Sequence, residues 1–390
     1  MRGALVLLVS LGLAWSLPGC ASRPGASLAV VAPASPPNPT VEIVAATTRR
    51  PSDDAAVLFG GERTGRINYA RLAISIPRDR KLGEVDWPVQ GAKPDAATTF
   101  AATAVERIDQ DRLGVILRAA ARGPARGHVL VFVHGYNTRF DEAAFRLAQV
   151  VQDSAAPVTP ILFSWPSWGS LAAYPYDRES AAFSRDALED LLARLAREPS
   201  VTQVSVLAHS MGGWLTMEAL RQMAIRHGRV PTRIATVMLA APDIDVDVAL
   251  TQGRALGPQK PRLLLFVSAD DSALNFSRRV WGSRDRLGAI DPKQEPYRTN
   301  LAKAGVEVVD LTGESSGDAL NHSKFADSPL AVKLIGQQLA QGDKLDGRVG
   351  INEAAESITQ GAARAAGDLL AAPLRLARPA EPPQAAARQD

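Results

Sequence analysis

From about residue 128 onward, short continuous apolar runs alternate with stretches whose apolar residues recur three and four apart. A continuous run rich in β-branched residues predicts a strand buried on both faces. The three-four spacing predicts a helix with one face on a core. Strands are expected on this basis at 41–46, 67–76, 128–133, 159–164, 203–208, 234–239, 262–268 and 306–311. Helices are expected at 139–153, 177–197, 211–226, 245–251, 293–304 and 329–341. In the second of these, Leu188, Leu191, Leu192 and Leu195 share one face, as core packing requires. The alternation predicts an α/β domain over residues 41–345: a mostly parallel, eight-stranded sheet with helices on both faces. The first two strands precede any predicted helix and are assigned to an antiparallel edge.

Composition narrows the picture by exclusion. A hydrophobic content of 46% is ordinary for a globular chain. The net charge of +3 is small, and no basic cluster is interleaved with aromatics, so nucleic acid is not an expected partner. No metal-ligand cluster, G-x-x-x-x-G-K or G-x-G-x-x-G pattern is present, so no cofactor or metal is expected.

The chemistry concentrates at Ala208-His209-Ser210-Met211-Gly212-Gly213. A predicted strand ends there and a predicted helix begins, with a serine at the apex. A strained turn of this kind lifts a serine hydroxyl clear of the sheet, provided small residues flank it. Gly212 is one, and Ala208 stands where G-x-S-x-G has its first glycine. A serine needs a base to take its proton. Of His128, His134, His209, His227 and His322, only the last two follow Ser210. His227 ends the predicted helix, about 25 Å away at 1.5 Å per residue. His322, in a polar loop after the last predicted strand, is the candidate base. The strand 262–268 leads into Asp270 and Asp271. Asp271 is favoured as the acid that orients His322, with Asp270 as a turn former and Asp243 as the competitor. Asp245 and Asp247 suit the cap of the next helix. Strand 128–133 ends in His134-Gly135-Tyr136-Asn137, where the N–H of Tyr136 joins that of Met211 as the expected oxyanion pair. His134 is read as shaping that loop. The loop from Trp165 to Tyr176, with two tryptophans and two tyrosines, is either an acyl pocket or a packed corner.

These segments, with Phe163-Ser164-Trp165-Pro166-Ser167, Tyr176-Asp177-Arg178-Glu179-Ser180-Ala181, Ala241-Pro242-Asp243-Ile244-Asp245 and His322-Ser323, follow one another in an order that resembles a bacterial α/β-hydrolase family catalogued as a domain of unknown function, many of whose members look like lipoproteins. The resemblance runs from about 125 to 340. It implies the α/β-hydrolase fold and a Ser-Asp-His triad. The family's Ser-x-x-Asp-x-Ala-Leu stretch matches Ser268 to Leu274 and puts its aspartate on Asp271. It implies no substrate. The expected activity is a serine hydrolase acting on a lipid or other acyl ester. The alternatives are an acyltransferase and a non-catalytic envelope scaffold.

The chain ends carry a location signal. Arg2, an apolar stretch from Ala4 to Trp15, and Leu17-Pro18-Gly19-Cys20 have the layout of a secretory signal over residues 1–19. The last four residues resemble a lipobox, with Cys20, the sole cysteine, as the lipidated residue. This predicts a lipid-anchored envelope protein, at the outer membrane facing the periplasm. Residues 20–40, rich in proline and alanine, are expected as a tether, and 379–390 as a disordered tail. An amphipathic helix is expected within 346–378, where Ile351, Ala355, Ile358, Ala362, Ala365 and Leu369 recur at helical spacing.

Overall fold

The computed structural model describes Gly25 and residues 27–89, 91–281, 284–314 and 316–341. The expected signal segment, Cys20, the amphipathic stretch 346–378 and the tail lie outside the described residues. Among the described residues nine strands form one sheet: β1 (Thr40–Pro51), β2 (Phe59–Ser75), β3 (Ala101–Ile108), β4 (His128–Val133), β5 (Thr159–Ser164), β6 (Gln203–His209), β7 (Ile234–Ala240), β8 (Arg262–Val267) and β9 (Val306–Asp310). Among the described residues ten helices connect and cover them: α1 (Gln110–Ala120), α2 (Phe140–Ser154), α3 (Tyr174–Phe183), α4 (Arg185–Arg197), α5 (Met211–His227), α6 (Val246–Ala255), α7 (Ser272–Trp281), α8 (Tyr297–Ala304), α9 (Lys324–Asp327) and α10 (Pro329–Gln341).

The strand order is β3-β2-β1-β5-β4-β6-β7-β8-β9. β1 and β2 pair antiparallel, as do β2 and β3, while every neighbouring pair from β1–β5 to β8–β9 is parallel. The chain runs from β4 outward to β5, then returns past β4 to β6. A crevice opens where connections leave a parallel sheet in opposite directions, at the carboxyl ends of its strands. Period-two alternation sorts the core. Val129, Val131 and Val133 join Leu188, Leu191 and Leu215 in one cluster, whereas Phe132 points to the other face and stacks on Phe325.

The architecture is the α/β-hydrolase fold, with nine strands where eight were expected. The addition is β3, whose Ala101, Ala102 and Ala104 give a weak apolar signal between charged residues. The expected helix 177–197 is two helices. Ser184 breaks it by turning its hydroxyl back onto the Ser180 carbonyl at 2.8 Å and onto Thr48 Oγ at 2.7 Å. Helix 293–304 starts only at Tyr297, after Pro296. From residue 27 the stretch expected as a tether lies instead on the body. Leu28 and Val31 are buried, and their N–H groups donate to the carbonyls of Ala56 and Ala102, each at 3.0 Å. Buried Leu28 and Val31, with hydrogen bonds along the segment such as that from Asn38 Nδ2 to the Ala96 carbonyl at 2.7 Å, hold a proline-rich stretch that composition alone reads as free.

Candidate active site

The serine side of the crevice is built by backbone. β6 ends at His209 and α5 begins at Met211, which leaves Ser210 alone in the turn. Its φ of 53° and ψ of −122° lie where side-chain-bearing residues are seldom found. Such strain persists only where the surroundings over-determine it. Ser210 donates its N–H to the Ala240 carbonyl at 2.9 Å, and its own carbonyl accepts from Gly213 N at 2.9 Å and Asp243 N at 3.2 Å. A Cβ on Gly212 would stand 2.4 Å from the His134 carbonyl oxygen and 2.6 Å from that of Val133, so only glycine lets α5 start this close to β4. A Cβ on Gly135 would meet Ser210 Cβ at 3.0 Å. Tyr136 therefore follows the glycine that abuts the serine. Met211, beside Ser210 in the chain, is the first residue of α5, a position whose N–H has no partner within its own helix.

The histidine side is built by carboxylates. His322 Nδ1 lies 2.7 Å from Asp271 Oδ2, and Asp271 is fully buried. Burial alone would lower the His322 imidazole. The charge and hydrogen bond of Asp271, with Asp243 and Asp318 further off, outweigh it and raise His322 above its ordinary value of 6.5. Asp318 shapes the loop: its carboxylate accepts from Leu320 N at 2.7 Å, Ser323 N at 2.6 Å and His322 N at 3.1 Å. Burial opposes its ionisation, but these N–H groups hold it below the usual carboxylate value. His209 joins the two sides. Its ring packs 4.7 Å from that of His322 and its Nε2 lies 3.2 Å from the His322 carbonyl. It sits next to Ser210 in the chain. Burial, then the nearby His322, push His209 well below the normal histidine range. It is therefore neutral, and an N–H at Nε2 can donate to that carbonyl.

The three aspartates weighed from sequence occupy different places. Asp271 reaches His322. Asp270 pairs with buried Lys324, whose Nζ lies 2.6 and 2.8 Å from its two oxygens. Burial opposes ionisation of Asp270, but Lys324, Ser268 and the Gly313 N–H together bring it below the ordinary value. Asp243 accepts from Tyr174 Oη and Ser277 Oγ, each at 3.0 Å, with Arg286 Nε at 3.4 Å. Burial, then Asp243, push the Tyr174 hydroxyl up to about 12. Asp245 caps α6, accepting from Asp247 N at 2.9 Å.

A buried polar frame supports the turn at Gly135 and Tyr136. His134 stacks on Trp165 at 4.8 Å, and Trp165 Nε1 donates to the His134 carbonyl at 2.8 Å. Burial and the neighbouring Arg49 push His134 down to about 3, so it is a neutral loop-shaping residue. Arg49 is buried and donates to Ser164 Oγ and to the carbonyls of Gly60, Ser167 and Thr138, at 2.8 to 3.0 Å. Burial lowers it to about 10, against the pull of Asp177. The Asp177 carboxylate ties two loops together, accepting from Ser167 Oγ at 2.6 Å, Trp168 N at 3.0 Å and Asn137 N at 3.1 Å. Trp165 thus belongs to a packed corner, while Trp168 and Leu171, 46% and 69% exposed, stand at its edge.

Sequence reasoning missed Arg49, His209, Asp318 and Lys324 as supports. Asp177 carried a signal through its place in the Tyr-Asp-Arg-Glu-Ser-Ala segment. Arg49 had none, since an arginine in a strand reads as solvent-facing. Among the described residues no group of three or more His, Cys, Asp or Glu is arranged to hold a metal ion.

Several solved structures resemble the chain at low identity. A predicted CIB-like hydrolase from Thermoplasma acidophilum is 14% identical over 56% of this chain and 87% of its own, with a TM-score of 0.34. The siderophore hydrolase EstB from Aspergillus nidulans is 13% identical over 73% of this chain and 93% of its own, with a TM-score of 0.33. An acylaminoacyl peptidase from Pyrococcus horikoshii is 12% identical over 75% of this chain and 57% of its own, with a TM-score of 0.37. No curated protein matches the chain. The family model described as "Alpha/beta hydrolase of unknown function (DUF900)" matches residues 114–338, more than half of the 390 residues, and the chain belongs to that family.

Proposed function

We propose that the protein is a serine hydrolase that cleaves carboxylic esters of apolar acyl groups. Ser210 Oγ attacks the carbonyl carbon while His322 Nε2 takes its proton. The N–H groups of Tyr136 and Met211 stabilise the oxyanion, and Asp271 holds the imidazole and stabilises its charged form. His322 returns the proton to the departing alkoxide, leaving an acyl-enzyme. Water, deprotonated by the same imidazole, then releases the acid. The observation that carries this reading is the 2.7 Å contact of buried Asp271 with His322 Nδ1, which turns Nε2 away from the acid.

An acyl ester suits the rim. Leu171, Phe276 and Leu320 are 69%, 64% and 50% exposed. Leu171 offers its carbonyl to Tyr136 Oη, Phe276 precedes the Ser277 that bonds Asp243, and Leu320 lies two residues before His322. These three exposed apolar side chains, each adjoining a residue of the site, support an apolar acyl group. We further propose that Cys20 is lipidated and that the enzyme works anchored in the bacterial envelope, at the outer membrane. Among the described residues no helix is long and apolar enough to cross a membrane. Hydrolysis of p-nitrophenyl esters of graded chain length tests the activity. The expected result is turnover of at least one ester, absent in Ser210→Ala. Absence of turnover of every ester by folded protein would overturn it. Fractionation of cells expressing the full chain tests the anchor, which Cys20→Ser should release.

A further inference from the structure

A second concavity lies against the sheet beyond β6. A cavity of 390 Å³ opens beneath α6 and α8, against β7 and β8. That volume is in the range of small-ligand sites. Its lining is mostly aliphatic, with Leu239 and Leu265 from the sheet, Ile244 and Leu250 at α6, and Leu301 from α8. No aspartate or glutamate lines it, whereas Arg254, Lys260 and Lys303 do.

The three cations gather at one end. Lys303 stands in the last turn of α8 and Arg254 in the last turn of α6. Lys260 precedes β8, and its ammonium donates to the carbonyl of Ala304, next to Lys303. Among the described residues Arg254 and Lys303 make no ion pair or side-chain hydrogen bond. The carboxyl ends of α6 and α8 answer part of this charge, at about half a unit each. On the order of two positive charges remain unanswered. Leu263 and Val306, which also line the cavity, lie at the start of β8 and β9. Asp271 and His322 lie beyond the opposite ends of those strands. At about 3.3 Å per residue, the six residues of β8 place the cationic end roughly 20 Å from Asp271, whereas the apolar end reaches Ile244, next to the Asp243 whose N–H donates to the Ser210 carbonyl.

We propose that this cavity binds a long-chain carboxylate, a free fatty acid, with the alkyl chain along β7 and β8 and the carboxylate at Arg254, Lys260 and Lys303. An aliphatic wall with three cations and no carboxylate at its mouth is complementary to an alkyl chain with one anionic end, and to neither a neutral lipid nor a small polar anion. The inference does not depend on the esterase reading, because it concerns equilibrium binding in which the Ser210 hydroxyl takes no part.

The test is fluorescence titration of the full chain with cis-parinarate, followed by displacement with palmitate, hexadecanol and acetate. One saturable site is expected, emptied by palmitate, at least tenfold less readily by hexadecanol, and not by acetate. The surface pair Arg254→Glu and Lys303→Glu should weaken parinarate at least tenfold. Ala249→Trp, which fills the cavity from α6, should abolish the site while thermal melting shows the fold intact. No saturable binding, or binding that both sets of changes leave unaltered, would overturn the proposal. So would binding that disappears in Ser210→Ala. A chain that binds parinarate as described but hydrolyses no ester would uphold this site and overturn only the proposed activity.

Discussion

The two sides of the crevice are made by different physics. On the serine side, the position of Ser210 follows from eleven consecutive residues, Gln203 to Gly213, and the strand beside them. Gly212 and Gly135 permit the approach of backbone to backbone, and the strain at Ser210 is held by main-chain hydrogen bonds. On the histidine side no regular element ends at His322. The loop after β9 is held by carboxylates from separate parts of the chain: Asp318 gathers its N–H groups, Asp271 orients its ring and Asp270 secures the neighbouring Lys324. A steric constraint of the first kind tolerates almost no substitution. A set of polar tethers of the second kind lets each be loosened separately, so the account can be broken one tether at a time.

The largest effect is expected at the centre of the serine side. Ser210→Ala should lower kcat roughly 10⁶-fold, as removal of an activated nucleophile does in other serine hydrolases, with an unchanged melting temperature. On the histidine side, Asp271→Asn should lower kcat about 10⁴-fold, because the amide favours the wrong tautomer of His322. The two losses should not add in the double variant, and additive losses would separate Asp271 from the catalytic unit. Asp318→Ala leaves the acid and base in place but frees the loop that carries His322. A displacement of about 1 Å costs on the order of 10²-fold, and kcat rather than KM should fall.

The pH profile sharpens the comparison further. Only neutral His322 accepts a proton, so kcat/KM should rise with pH through a midpoint above the ordinary 6.5. The effect on stability has the opposite sign. A histidine whose folded value is raised contributes stability that is fully present below about 6.5 and lost as pH rises through the raised value. In Asp271→Asn, burial is no longer outweighed by that charge, and the midpoint should move down. The smallest effect is expected from Asp270→Asn, which leaves the Lys324 ammonium short of its partner. It should cost roughly 1–3 kcal/mol, between the values for exposed and buried pairs, with activity per folded molecule retained. Urea denaturation beside active-site titration would separate the two.

The same contrast explains what could be read from the sequence. The elbow was legible because a strand, a small-residue turn and a helix leave their marks within a dozen adjacent residues. So were the parallel strands, whose burial on both faces produces unbroken apolar runs. The antiparallel extension was less legible, since β3 packs with alanines and carries charges toward solvent. The frame behind the turn at Gly135 was only partly legible: Asp177 stood in a recognisable segment, but a buried Arg49 differs from a surface residue through its partners, among them Ser164, more than a hundred positions away. The residues on either side of Asp270 and Asp271 show the limit well. Adjacent aspartates in one turn point to Lys324 and to His322; their spacing alone does not say which goes where, and it was the resemblance that put the acid on Asp271.

The central claim is that Ser210 is activated by His322. Treating the full chain with a fluorophosphonate and weighing the intact protein tests it most directly. The account predicts one added phosphonyl group, carried by the peptide containing Ser210 and lost in both Ser210→Ala and His322→Ala. Folded protein that stays unlabelled, or labelling that survives replacement of His322, would contradict it.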